Sequence, residues 1–370
     1  MYKTYDINSI KSLFPKCDFS YLNDEFLQII LEKIKGRFVG GIVRDSLLGI
    51  DNKDIDIATP FIPEKVMDIL KDYKPIPTGI VYGTVSIFYK KYRIEITSLR
   101  KDVENYGRKS KVVFQGDWKS DSDRRDFTFN SLFYIKNIIY DYQNGIEDLK
   151  NGIVRFIGDA YIRIQEDYLR ILRFIRFFIR YSKINNYEFY KDLLLKLVKN
   201  IKILSIERVL MEIKSILKHF NWKKGITIIN ELGISKLLWE KDLNLEKYEF
   251  NEKERLYIIF YKYPYHQINK MPFLKEEKKF LMYFIKIYNN NDINTYVNIW
   301  KKIQSFPLLK EMLLLKDKIN DNDIYKDIIL VEEKDFITYK NDYIFIHKEG
   351  IKRGFEEDDC KENFLKLYIK

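Results

Sequence analysis

Short apolar runs with alternating polar positions fill the first 150 residues, and an apolar stripe at helical spacing takes over from about residue 160. Residues 1–35 read as helical, because Leu27, Ile30, Leu31 and Ile34 recur on one helix face. Residues 37–40 form a short strand running into Gly40 and Gly41, and 42–48 a helix whose N-terminus points at those glycines. A strand over 54–58 follows by alternation, then a helix over 63–73 with Val66, Ile69 and Leu70 inward. Strands over 83–89 and 93–97 join through a tight turn at 90–92. The polar stretch 101–124 includes a mobile loop, and strands return over 131–135 and 138–141. Residues 159–181 carry Ile171, Phe174, Ile175 and Phe178 at i, i+3, i+4 and i+7, and 205–219 carry Leu210, Ile213 and Leu217 on one side. Helical periodicity continues to Lys370 with weaker signals. The pattern predicts a mixed-sheet α/β domain over 1–150 followed by all-α segments over 151–218 and 219–370, with no internal repeat.

A length of 370 residues agrees with two or more domains. No apolar run approaches a membrane span, and MYKTYDINSIKSLF lacks the apolar core and small-residue cleavage site of a secretory signal. Only Cys17 and Cys360 are present, far apart, which suits a reducing compartment such as the cytoplasm and gives no disulfide framework. His219, His266 and His347 are scattered and form no zinc set. The net charge of +11 fits a polyanionic partner, nucleic acid being the commonest. An AT-rich coding bias toward Lys, Ile, Asn, Tyr and Phe would also raise the charge, so it only supports other signals.

Those signals lie in residues 38–60, FVGGIVRDSLLGIDNKDIDIATP. On a strand, Asp54 and Asp56 face one way while Ile55 and Ile57 pack inward. Two hard carboxylates on one face suit Mg²⁺, which keeps sites for water and substrate phosphates. Glu95, flanked by Ile94 and Ile96, is the candidate third carboxylate of a two-metal site. The alternative is a solvated strand with ordinary surface acids. Gly40 and Gly41 at a helix N-terminus favour an anion, and Arg44 could add a charge-assisted phosphate contact. Alternatively the glycines form only a tight turn and Arg44 pairs with Asp45. In DRRDFTFN, Arg124 and Arg125, with Asp126 placed to orient one of them and Asn130 following, look like a grip for ribose and phosphate, or else a charged turn before a strand. Together these features favour phosphoryl or nucleotidyl transfer.

Five ordered segments between about 36 and 217 resemble the motifs of the class II CCA-adding tRNA nucleotidyltransferases. That family belongs to the polymerase-β-like superfamily and shares its head domain with bacterial poly(A) polymerases. GGIVRDSLLG with DIDIAT resembles the catalytic motif, DRRDFTFNSLFY the ribose motif, and IIYDYQNGIEDL, with Asp141, Gly145 and Asp148, the link from head to neck. EDYLRILRFIRF resembles the base-recognition motif, and SIERVLMEI, with Glu207 and Arg208, the last of the five. The final 150 residues match no motif firmly. The resemblance implies a nucleotidyltransferase head over 1–150, a helical neck over 151–218, and a helical body and tail over 219–370 that bind tRNA. It implies untemplated addition of C, C and A to a tRNA 3′ end from CTP and ATP, with metals on Asp54 and Asp56 and Glu95 as third carboxylate. It also implies nucleotide contacts from Arg124, Arg125 and Asp126 and base selection by Asp167 and Arg170.

The last pair has its own physical logic. Three apart on a helix, Asp167 and Arg170 are neighbours. A carboxylate accepts from the exocyclic amine of cytosine or adenine, and a guanidinium donates to the adjacent ring nitrogen; uracil and guanine reverse both groups. The alternative is an i, i+3 salt bridge. Arg173 and Arg176 either continue a nucleotide groove or form a solvated face. The rivals are a poly(A) polymerase and an enzyme adding only A. The segment 99–118 resembles the compact loop of CCA-adding enzymes and argues against the first. A catalytically dead RNA-binding paralogue would be expected to lose Asp54 or Asp56, and both are intact.

Overall fold

The computed structural model describes residues 2–104, 111–114, 116–240, 242–243, 250–260, 271–289 and 306–320, with single positions 268, 295, 298, 299 and 302. His266, His347, Cys360 and the segment from 321 to 370 lie outside the described residues, as does part of the loop expected within 101–124. The chain opens with strand β1 (Lys3–Asp6), helix α1 (Ile7–Leu13) and helix α2 (Glu25–Lys33). It continues with β2 (Arg37–Val39), α3 (Gly41–Leu48), β3 (Asp54–Thr59), α4 (Pro63–Ile69), β4 (Ile76–Gly79), β5 (Thr84–Tyr89) and β6 (Tyr92–Ser98). The pair β7 (Lys101–Glu104) and β8 (Lys111–Val113), then α5 (Trp118–Asp123), β9 (Phe133–Ile135) and β10 (Ile138–Asp141) follow. Helices α6 (Gly145–Asn151), α7 (Ala160–Glu166), α8 (Leu169–Tyr181), α9 (Tyr187–Leu197), α10 (Ile206–Lys218), α11 (Trp222–Glu231) and α12 (Ile234–Trp239) come next. The last described helices are α13 (Glu252–Phe260), α14 (Lys275–Asn289) and α15 (Phe306–Asn320). The architecture is therefore a mixed-sheet α/β head followed by helices, as the hydrophobic pattern predicts.

Eight strands form one sheet in the order β1-β10-β9-β2-β3-β6-β5-β4. Only β3 and β6 run parallel, with Asp56 beside Glu95; the other pairings are antiparallel. The chain divides into two compact units, Met1–Asp242 and Leu243–Lys370. Head and helices α7 to α12 thus share the first unit. Their junction is aromatic: Phe127 and Phe129 from the FTF segment pack on Phe177 at 5.2 and 5.6 Å between ring centres, and Phe156 stacks on Phe174 at 5.6 Å. These rings are at most 3% exposed, so the alternating aromatics of 127–129 fix the head to α8.

Three expected elements change. Residues 3–6 are a strand, not helix, because KTYD pairs with the open edge of β10 in register Tyr5↔Ile139. Asp6 then starts α1 by accepting from the Asn8 N–H at 2.8 Å. The helix expected over 159–181 breaks at Asp167, whose backbone is extended (φ −156°, ψ 102°). The stretch 101–124 is more than a loop: it holds the β7–β8 ribbon and α5, whose N-terminus has a reciprocal cap between Asp117 and Ser120.

Candidate active site

Gly40 ends β2 and caps α3 at φ +75°, ψ −127°, a conformation that L side chains rarely adopt. An ideal Cβ at Gly40 would lie 3.5 Å from Nη1 of Arg125, so the turn and that guanidinium are neighbours. Next to the turn, β3 presents Asp54 and Asp56 on one face, and the parallel register sets Glu95 beside Asp56. Asp54 is exposed, Asp56 and Glu95 are half-buried, and the intervening isoleucines are buried, as the alternation predicts. Burial pushes the Asp56 carboxyl up to about 6, helped by Glu95 and Asp54 and opposed by Arg125 and Arg44. Glu95 is also tied to Arg93, 2.8 Å away on the same strand. Among the described residues no group of three or more His, Cys, Asp or Glu side chains is arranged to hold a metal ion. The sheet thus offers a carboxylate pair rather than a closed cage.

Arg44 takes the alternative that the sequence left open. It is 5% exposed and forks onto Asp45, with Nε and Nη2 at 2.9 and 3.0 Å from the two oxygens. Its Nη1 donates to Asn130 Oδ1 at 2.5 Å, so an expected free phosphate ligand is instead built into the floor of the turn. Asp45, 2% exposed, also accepts from Asn52 and from the Tyr181 hydroxyl, each at 2.8 Å. Asn130 in turn donates to Asp126 Oδ1 at 3.0 Å.

The two adjacent arginines are oriented by Asp121, a residue that the sequence reading missed. Asp121 is 1% exposed and receives Arg124 on one oxygen at 2.5 Å and Arg125 on the other at 2.9 Å. Burial opposes its charge, but both guanidiniums hold its carboxyl below the usual range. The signal available was its position three and four residues before the arginines, on what is a helix here. Asp126, expected to orient one of these arginines, faces α8 instead. Burial would raise its carboxyl, yet Arg173 and Asn130 bring it down to about 2. Arg173 Nε and Nη2 both lie 2.6 Å from Asp126 Oδ2.

Asp167 and Arg170 do not pair with each other. Asp167 accepts from Arg208 of α10 at 2.6 and 3.2 Å, and from the Leu169 N–H at 3.2 Å. Arg170 donates to Glu166 and to the Arg163 carbonyl, both at 2.6 Å, and to the Arg124 carbonyl at 3.2 Å. Arg173 and Arg176 are neither free groove ligands nor a solvated face. Both lean on the 7%-exposed Glu212 of α10, at 3.5 and 2.8 Å. Glu207 is an exposed acid in the first turn of α10. Asp141 and Asp148 are structural: Asp141 accepts from the N–H groups of Gly145 and Ile146 at the start of α6, and Asp148 from Thr128 and Arg155. Gly145 is required because its Cβ would lie 2.3 Å from the Thr128 carbonyl oxygen.

Residues 36–155 match the family described as the poly A polymerase head domain. The chain is 40% identical over 207 residues to the mitochondrial CCA tRNA nucleotidyltransferase 1 of Homo sapiens, covering 54% of this chain and 47% of that protein. It is 28% identical over 315 residues to the CCA-adding enzyme of Staphylococcus aureus (strain MRSA252), covering 82% of this chain and 76% of that protein. The chain spans about half the length of the vertebrate relatives it matches. Its fold is similar to the crystal structure of the Bacillus stearothermophilus CCA-adding enzyme in complex with CTP. That likeness has a TM-score of 0.64 at 23% identity and covers 81% of this chain and 79% of that one. The resemblance read from five ordered motifs and these matches therefore point to the same group of nucleotidyltransferases.

Proposed function

We propose that this chain, similar in its head to the poly A polymerase head domain and along more of its length to CCA-adding enzymes, adds C, C and A to the 3′ end of tRNA from CTP and ATP. The observation that carries the reading is convergence. Segments from 40 to 208 meet in polar networks: Asn52 joins Asp45 of the turn helix to the Asp54 N–H at the start of the carboxylate strand, Arg44 and Arg125 both reach Asn130, Arg170 donates to the Arg124 carbonyl, and Arg208 holds Asp167.

In this reaction the tRNA 3′-hydroxyl releases its proton to solvent as its oxygen forms a bond to the α-phosphorus of the nucleotide, the bond from that phosphorus to the bridging oxygen breaks, and pyrophosphate leaves. Asp54 and Asp56 fit a divalent cation, because Asp56 is a half-buried carboxyl strained upward beside two further acids and offers hard oxygen ligands. Bound there, Mg²⁺ would supply Lewis-acid stabilisation of the charge on the reacting phosphate. Glu95 adds negative charge beside Asp56. The Gly40–Gly41 turn offers backbone N–H groups to the triphosphate. Arg44 uses three of its five N–H donors internally, and its Nη2 lies beside Gly41. Arg124 and Arg125, pinned by Asp121, face the ribose and phosphates. Asp167 accepts the exocyclic amine of C or A while Arg170 donates to the adjacent ring nitrogen, at about 1–3 kcal/mol of discrimination for a good base contact. Arg173 and Arg176 stiffen the helix that carries them. The divisions 1–150, 151–218 and 219–370 serve as catalytic head, base-reading neck and tRNA-binding body and tail, and two cysteines in the whole chain suit the cytoplasm.

The test is incorporation of each nucleoside triphosphate, with Mg²⁺, into tRNA transcripts ending before CCA, after C and after CC. Products that stop after CCA support the reading. Addition of A to the CC-ended transcript alone makes the protein an A-adding enzyme, and long A tails on any RNA assign it to the poly(A) polymerases.

A further inference from the structure

One closed circuit of side chains begins and ends on α8. Arg173 binds Asp126, Asp126 accepts from Asn130, Asn130 accepts from Arg44, Arg44 forks onto Asp45, and Asp45 accepts from the hydroxyl of Tyr181. Arg173 and Tyr181 are eight residues apart, about 12 Å along the helix. The helix is therefore held to the head at two points: near its start, beside Arg170, and at its end, against the glycine turn. Tyr181 is 8% exposed, packs on Phe129 at 5.6 Å, and lies 4.8 Å from the Arg44 guanidinium. Burial first, and then the neighbouring Asp45, push its phenol far above the usual range, so it remains a donor.

We propose that Tyr181 is a positioning residue that fixes the distance between the base-reading end of α8 and the phosphate-binding turn at Gly40–Gly41. The proposal rests on the function proposed above, which places a nucleotide across both ends. A nucleotide held at base and triphosphate gains from both contacts only when their separation is set in advance, as in any two-point attachment. With the Tyr181 hydroxyl removed, Asp45 keeps Arg44 and Asn52, so the turn stays intact while the far end of α8 loses its short hydrogen bond and keeps only the longer Arg180–Asp45 ion pair at 3.6 Å. Each end then still binds its own part of the ligand, but the two no longer act together.

The experiment compares the full-length protein with Tyr181→Phe, and with Ile216→Val as a control for modest core destabilisation of the same helix packing without loss of any polar group of the circuit. Affinities for CTP, UTP and inorganic tripolyphosphate are measured by calorimetry with Mg²⁺ and without RNA, alongside melting temperature. The expected result is about a tenfold weaker CTP affinity in Tyr181→Phe with tripolyphosphate binding unchanged, a size typical of small misplacement in a fixed site. Ile216→Val should lower the melting temperature and leave both affinities alone. Two results overturn the proposal: CTP binding in Tyr181→Phe equal to that of the parent protein, or CTP and tripolyphosphate weakened equally, which would confine Tyr181 to the turn. Equal binding of CTP and UTP by the parent protein would instead count against base reading. The comparison of CTP with tripolyphosphate would still report the tie between the two ends.

Discussion

Replacing Asp126 by Asn tests the head-to-helix tie directly. In the folded protein its carboxyl stands at about 2, against an ordinary value of 3.8, because Arg173 and Asn130 overcome the effect of burial. At about 1.4 kcal/mol per unit, the ionised form contributes roughly 2.5 kcal/mol above its unfolded reference. Asp126→Asn keeps a carbonyl for Asn130 or the Phe127 N–H but turns a neutral group toward Arg173. Arg173 retains Glu212 at 3.5 Å and is 31% exposed, so the loss falls at the low end for a broken buried pair, about 2–3 kcal/mol. The pH sign follows from a folded value below the unfolded one. The contribution is complete above about pH 4 and disappears as the pH falls through the folded value near 2, so about half remains at pH 3. Urea unfolding followed by tryptophan emission reports mainly the relevant unit, since three of the four tryptophans, Trp118, Trp222 and Trp239, lie within it; replacing Trp300 by Phe in both proteins removes the fourth signal. The stability gap between parent and variant should be about 2–3 kcal/mol at pH 7 and clearly smaller at pH 3. A gap independent of pH, or one below about 0.5 kcal/mol at pH 7, would refute the assignment of Asp126 as the charged anchor of α8.

Three other substitutions probe separate parts of the site. Gly40→Ala forces a side chain into φ +75° next to Arg125 and should cost about 1–3 kcal/mol of stability together with most nucleotide transfer, read by thermal melting and incorporation assay. For Asp56 the folded pKa is raised to about 6, so metal-free stability falls as the pH rises through that value; Mg²⁺ should raise the melting temperature more at pH 8 than at pH 5, and Asp56→Asn should abolish the difference. Arg208→Gln releases Asp167 from its 2.6 Å partner and should lower discrimination of CTP against UTP by about tenfold in kcat/KM, with little change in melting temperature.

Much of this was legible from local pattern. Alternation placed β3 one residue short of its observed end and put Asp54, Asp56 and Glu95 on the right face, because strand parity is a local property. Helix spacing likewise gave the buried side of α8, with Ile171, Phe174, Ile175 and Phe178 all buried. What parity cannot give is strand order. That β3 and β6 are parallel neighbours, setting Asp56 beside Glu95, depends on the chain folding back across the sheet. The strand at 3–6 was missed for the same reason: its partner, β10, is more than 130 residues away. The break at Asp167 was hidden because the apolar stripe continues through it while the carboxylate turns back onto its own Leu169 N–H.

Partner choice in the site shows the same limit in a sharper form. Spacing offered Asp126 to one of Arg124 and Arg125, and Asp167 to Arg170, and the fold gave these acids to Arg173 and Arg208. It gave Arg124 and Arg125 to Asp121, and Arg170 to Glu166. Only Arg44 kept its sequence neighbour, Asp45. The result is a set of guanidiniums aimed before any nucleotide arrives, so their ordering belongs to folding and not to binding. Nine arginines at positions 44, 124, 125, 163, 170, 173, 176, 180 and 208 share six acids at 45, 121, 126, 166, 167 and 212. That leaves an excess of three positive charges; with Arg93, the partner of Glu95, included, Asp54, Asp56 and Glu95 reduce it to one when ionised. A triphosphate therefore meets oriented donors but little net attraction until the carboxylate pair carries a cation. Nucleotide affinity should accordingly depend on divalent cation far more than tRNA affinity does.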